Sequence, residues 1–190
     1  MTNLLPRLFI RDYKNLENPT VRSAYGKLAG MVGIFCNVLL FAAKLAIGLL
    51  SGSVSITADA VNNLSDASSS VVTLLGFKLA EKPADEDHPY GHARMEYLSG
   101  LAVAALILVI GVELVKSSVT KIIHPEPVAF SPALVVVLVL SMAVKLWMCH
   151  FNDSLGRRMD SDTLKATAAD SRNDVITTGA VLLAAIVAQV

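Results

Sequence analysis

Five long apolar runs dominate the chain, and they constrain it more than any other feature, because about 20 consecutive mostly apolar residues are what a helix needs to cross a bilayer. Leu28 to Leu50 is interrupted only by Asn37 and Lys44. Ser55 to Ala80 carries Asp59, Asn62, Asn63 and Asp66 in its first half. Tyr97 to Val119 has Glu113 and Lys116 near its end, and Pro132 to Cys149 has Lys145 in its last turns. Leu164 to about Val187 places Asp170, Arg172 and Asp174 in its first half. Lipid leaves no partner for an open backbone, so these runs predict an all-α, polytopic membrane bundle of five helices. Only 17% of the residues are charged, against about 25% in ordinary soluble domains. The formal net charge of zero argues against nucleic acid as a partner. Cys36 and Cys149 lie inside apolar runs, where free cysteine behaves as a small hydrophobe.

The connections fit antiparallel helices. Ser51-Gly52-Ser53 allows only a tight turn, and residues 81–95 form a polar loop rich in turn formers. Residues 120–131 contain His124-Pro125-Glu126-Pro127, a stiff extended stretch, and residues 150–163 read as a polar loop with Arg157 and Arg158. Basic residues concentrate in the N-terminal segment (Arg7, Arg11, Lys14, Arg22, Lys27), in the second loop (Lys82, Arg94) and in the fourth. The first loop has none and the third only Lys121. The excess of Lys and Arg on cytoplasmic loops therefore predicts that the N-terminal segment, residues 1–27, and the even-numbered loops are cytoplasmic. The stretch Leu4 to Ile10 reads either as a surface helix or as a tail. The chain stops directly after Ala-Ile-Val-Ala-Gln-Val with no basic anchor, which is expected of the N-terminal portion of a longer protein.

Charged groups at membrane depth cost about 2.5–3.5 kcal/mol each on insertion scales and mark functional pathways. Two i,i+4 pairs stand out: Asn62 with Asp66, and Asp170 with Asp174. Residues four apart differ by about 40° around a helix and about 6 Å along it, so each pair shares one face. Asp66 is the twelfth residue from Ser55 and Asp174 the eleventh from Leu164, counted from opposite membrane faces, so both should lie near the midplane. Facing each other, the pairs offer three carboxylates and an amide oxygen, a set that needs a balancing cation and suits hard divalent ions. The competing reading is that these aspartates merely pair with Lys44, Lys145 or Arg172. Asp59, a turn before Asn62, reads equally as part of an exit path or as a helix cap. In the second loop Asp85, His88 and His92 form a plausible ligand set, with a solvated loop as the even alternative.

These residues resemble the cation diffusion facilitator family. The resemblance is carried by Ser-Ile-Thr-Ala-Asp-Ala-Val-Asn-Asn-Leu-Ser-Asp (55–66), by Pro-Ala-Asp-Glu-Asp-His-Pro-Tyr-Gly-His-Ala-Arg-Met-Glu (83–96) and by Asp-Ser-Arg-Asn-Asp (170–174). It runs in order from about Asn18 to the end and includes Asn37, Lys44 and Gly48. The resemblance implies proton-coupled export of divalent transition metals by a homodimer with alternating access, with residues 28–190 as its cation efflux transmembrane domain. It implies a transport site at Asn62, Asp66, Asp170 and Asp174, and a lesser site at Asp85, His88 and His92. Members typically have six spans and a cytoplasmic metal-binding domain, so the sixth helix and that domain are absent from these 190 residues. Zinc-selective members usually carry histidine at one of the four positions. Asn62 shifts the preference toward harder ions, and the Asn-Asp-Asp-Asp set is similar to that of bacterial manganese exporters. Mn²⁺ is the expected cargo, with Zn²⁺ or Fe²⁺ as the alternative within the class and a static membrane metal-binding subunit outside it. No prosthetic group is expected. An enzyme is not expected either, because no histidine lies inside a predicted span.

Overall fold

The computed structural model describes residues 4–10, 13, 15–16, 18–51, 54–123 and 132–187. The described residues form six helices: α1 (Leu4–Phe9), α2 (Pro19–Ser51), α3 (Val54–Ala80), α4 (Met95–Ile123), α5 (Pro132–Met159) and α6 (Asp162–Val187). Each of the five predicted spans is a helix, and α1 gives the N-terminal stretch a short helix with Leu8 and Phe9 exposed. The expected tight turn at Gly52-Ser53 and the extended stretch at 124–131 lie outside the described residues, as do the last three residues.

Local chemistry explains the ends. The side chain of Asn18 accepts from the Thr20 amide at 2.9 Å, capping α2, and Pro19 follows at the first helical position, where a missing N–H is no loss. Helix α2 thus begins nine residues before the apolar run does. The predicted loop over 150–163 is largely helix, because α5 runs on to Met159. Phe151, Leu155 and Met159 are buried at four-residue spacing, so an amphipathic stripe continues the helix after the apolar run ends. The extension brings His150 into α5, where it is exposed. The chain then turns in two residues: Asp160 adopts φ 45° and the Ser161 amide donates to the Gly156 carbonyl at 2.9 Å, a Schellman-type stop. Lys165 bonds to Asp160 at 2.7 Å, and that hydrogen bond holds the exposed Asp160 carboxyl below its ordinary range.

Helices α2 and α3 form the tightest pair, α5 packs on α6, and α4 lies against α3 and α6. The first pair is close because α2 turns glycines, which have no side chains, toward α3. A Cβ on Gly30 would lie 2.8 Å from the Leu74 Cβ, and one on Gly33 would lie 2.5 Å from the Ser70 hydroxyl.

The interior is layered. One end holds a cluster of Val21, Tyr25, Leu28, Phe77, Phe151, Leu155 and Leu164, and another apolar contact joins Ile56 and Leu138. The buried groups also include Asn37, Lys44, Asp66, Ser69, Ser70, Thr73, Ser141, Lys145, Thr167, Asp170 and Ser171. Large apolar side chains instead cover the outside, among them Phe35, Leu49, Leu101, Leu108, Val139 and Leu183. Polar groups inside and apolar groups outside are what a bilayer selects. Three described helices are long and apolar enough to cross a membrane on their own: Thr20–Leu50, Met95–Glu113 and Val135–Met159. Helices α3 and α6 are long enough, at 27 and 26 residues, but their inward-facing Asp, Asn, Ser and Thr lower their hydropathy.

Candidate metal site

Three helices each place a charged residue about halfway along. Asp66 comes 12 residues after the start of α3 and Asp174 12 after the start of α6, while Lys145 comes 13 after the start of α5. At 1.5 Å per residue each sits about 18–20 Å from its helix start, so antiparallel helices bring all three to one level. The structure gathers Asp66, Asp170 and Asp174 so that one carboxylate oxygen from each lies within 4.8 Å of the others. Asn62 closes the fourth side, its side-chain amide reaching Asp174 Oδ1 at 3.5 Å. All four residues singled out on α3 and α6 therefore converge. Asp66 and Asp170 are buried and Asp174 is partly so.

Lys145 enters this cluster directly. Its Nζ lies 2.6 Å from Asp66 Oδ2 and 2.6 Å from Asp174 Oδ2, and its side chain is buried. The competing reading of Lys145 as a partner to these aspartates therefore describes the structure, and so does the cluster itself; one contact set contains both. Lys44 instead lies 2.8 Å from Asp59, two turns away along α3, and Arg172 is exposed. The ammonium does not satisfy every acceptor around it: Asp66 Oδ1 is buried without a hydrogen-bond partner. A buried carboxylate oxygen with no donor is costly, and a cation is what would satisfy it. From the sequence, Lys145 is only one of three alternative partners for these aspartates, beside Lys44 and Arg172. The signal for more was its depth, shared with Asp66 and Asp174.

The second loop also folds as a cluster. Asp85, His88 and His92 each direct one ligand atom within 4.8 Å of the others, and the two imidazole rings lie 4.4 Å apart. Gly91 makes this possible: its φ of +75° turns the chain so that His92 folds back over the loop. His92 is buried, with Nδ1 3.1 Å from the Pro83 carbonyl and Nε2 3.5 Å from Asp85. Donation from Nδ1 to that carbonyl leaves the Nε2 lone pair facing the cluster, the arrangement common among metal-bound histidines. Desolvation, the largest single effect on the Asp85 carboxyl, is outweighed by the sum of hydrogen bonds from the His88 amide, at 2.7 Å, and the His88 ring and the charge of the two imidazoles, so it lies below its ordinary range.

The loop and the helix ends around it are tied together. Arg22 forks onto Glu96 at 2.9 and 3.1 Å and also donates to the Met159 carbonyl, while Lys27 pairs with Glu81. The Glu96 carbonyl accepts from Thr163 at 2.8 Å and from Ser99 at 2.7 Å. The start of α2, the end of α3, the start of α4 and the α5–α6 turn thus share one end of the molecule.

The model of the cation efflux transmembrane domain matches residues 30–190. A transporter of Methanocaldococcus jannaschii is 32% identical over 170 residues, covering 90% of this chain and 56% of that protein. The manganese efflux system protein MneS of Bacillus subtilis is 30% identical over 164 residues, covering 86% and 57%. The magnetosome protein MamB of Paramagnetospirillum magneticum is 34% identical over 143 residues, covering 75% and 48%. The chain spans about half the length of the curated relatives it matches. With a family model covering most of its length and an inside-out bundle of polar core and apolar surface, the chain belongs to the cation efflux, or cation diffusion facilitator, family.

Proposed function

We propose that this protein exports a divalent metal, Mn²⁺ by preference, in exchange for protons, through a site formed by Asn62, Asp66, Asp170 and Asp174. The observation that carries the reading is the convergence of three carboxylates at mid-depth from two helices, with the buried Asp66 Oδ1 lacking a partner. Oxygen donors alone favour hard ions, and the likeness to a protein named for manganese efflux points the same way. The carboxylates need compensating positive charge in every state, so metal and protons can exchange for one another there. Transport breaks no covalent bond, and no prosthetic group enters it.

The N-terminal segment, the 81–95 loop and the α5–α6 turn face the cytoplasm in this reading. Their shared end carries Arg22, Lys27, Lys82, Arg94, Arg157 and Arg158. Asp85, His88 and His92 form a secondary site on that side, and the working unit is a homodimer.

The test is metal flux into inverted vesicles from cells expressing the natural gene product, comparing Mn²⁺, Zn²⁺ and Fe²⁺. Mn²⁺ uptake that Asp66→Ala or Asp174→Ala abolishes is the expected result. Zn²⁺ uptake of equal rate would keep the site and overturn the selectivity drawn from Asn62. Binding without flux would make the protein a static metal-binding subunit.

A further inference from the structure

We propose that Lys145 is a tethered cation that competes with the cargo: its ammonium holds the place between Asp66 and Asp174 when the site is empty, and metal must displace it to bind. The inference rests on the transport-site reading above. Nζ is within 2.6 Å of one oxygen from each of the two carboxylates, and those carboxylates come from different helices, α3 and α6. A divalent ion bridging the same oxygens at about 2.1 Å overlaps an ammonium in that position. The two cations also repel each other at a depth where little water screens them. Lys145 reaches the site from a third helix, α5, so it can withdraw along its own flexible stem while both carboxylates stay in place.

The consequence is a site built for release. Three carboxylates in a buried cluster would by themselves hold a divalent ion tightly and let it go slowly. An ammonium returning to Asp66 and Asp174 replaces part of the departing charge and keeps the emptied carboxylates from repelling one another. Lys145 is thus a positioning residue that sets affinity without being a ligand. Lys44, the other buried lysine among the described residues, lies at Asp59 and does not bridge the triad.

The test is Mn²⁺ binding to the purified natural protein, read from the loss of the free-ion electron paramagnetic resonance signal. Lys145→Met, which keeps the length of the stem and removes the charge, should bind at least about tenfold tighter, a shift of about 1.4 kcal/mol. Lys145→Arg should stay within about threefold of the parent, because the charge remains. Lys145→Gln should fall between them, and it carries the test if the methionine variant does not fold. In flux, Lys145→Met should be slower at saturating Mn²⁺ despite its tighter binding. A residue with only a packing role would lower affinity when replaced. Equal or weaker binding in both Lys145→Met and Lys145→Gln overturns the proposal, while Asp174→Asn still abolishing binding would leave the transport site standing. Unchanged binding in Asp66→Asn and Asp174→Asn would overturn the site and this inference with it.

Discussion

A Cβ on Gly30 meets the Leu74 side chain at 2.8 Å and the Leu74 backbone at 3.0 and 3.1 Å. Backbone cannot move aside as a flexible side chain can, so α2 must shift away from α3. Gly30→Ala is expected to destabilise the protein by about 1–3 kcal/mol, the usual penalty of overpacking. Gly111 supplies the control, because a Cβ there meets nothing within 4 Å. Both substitutions gain the same helix propensity, so the difference between their melting temperatures in one detergent isolates the packing effect. Equal melting would overturn the close seam. The seam also bears on the site, since Gly33 sits against Ser70, which is hydrogen-bonded to the Asp66 carbonyl at 3.1 Å. At this scale the sharing of a face by Asn62 with Asp66 and by Asp170 with Asp174 was legible, because i,i+4 spacing on a helix puts residues on one face wherever the helix packs. The bridging position of Lys145 was less so: its depth matches that of Asp66 and Asp174, but nothing in the order of residues along α5 says which neighbour its face meets.

The helices are locked at one end by Arg22 and Glu96. Their bidentate contact joins α2 to α4, the third Arg22 contact reaches the last residue of α5, and the Glu96 carbonyl takes the Thr163 hydroxyl of α6. Glu96 is nearly buried, and Arg22 is about a third exposed, at 31%. Glu96→Ala should therefore cost about 2 kcal/mol, within the range of hydrogen bonds to charged groups and moderated by Arg22's access to water. Arg22→Lys should recover little of the contact, because a single ammonium cannot match the guanidinium fork. Chemical denaturation of the detergent-solubilised protein checks both, and a Glu96→Ala variant as stable as the parent would remove the clamp from the account. The partners are 74 residues apart. Periodicity finds helices and their buried faces, as it does for Phe151, Leu155 and Met159, but it carries no information on which helix ends meet.

Taken as a whole, the molecule places charge inside and hydrocarbon outside, and its basic residues cluster at the end carrying the 81–95 loop. The proposed orientation predicts the reactivity of that loop. Tyr90 is almost fully exposed, so Tyr90→Cys, made with Cys36 and Cys149 replaced by alanine, reports its side directly. A membrane-impermeant maleimide should leave it unlabelled in intact cells and label it in inverted vesicles. Labelling in intact cells would reverse the proposed orientation and with it the proposed direction of export.

Amino-acid order alone determined the helices and the polar pairs of this protein. Apolar runs of span length have one satisfactory backbone conformation in lipid, and residues four apart on a helix share a face whatever surrounds it. It also marked the loop cluster, since Asp85, His88 and His92 lie too close in the chain to be far apart in space. Only the tertiary structure decided how the helices are rotated and registered against one another. That rotation puts the Lys145 ammonium 2.6 Å from carboxylates on both α3 and α6, sends Lys44 to Asp59 and leaves Arg172 outside. The reason is physical: a helix fixes the angles between its own side chains, whereas its angle to its neighbours follows from every contact along the seam at once, the bare glycine surface of α2 among them.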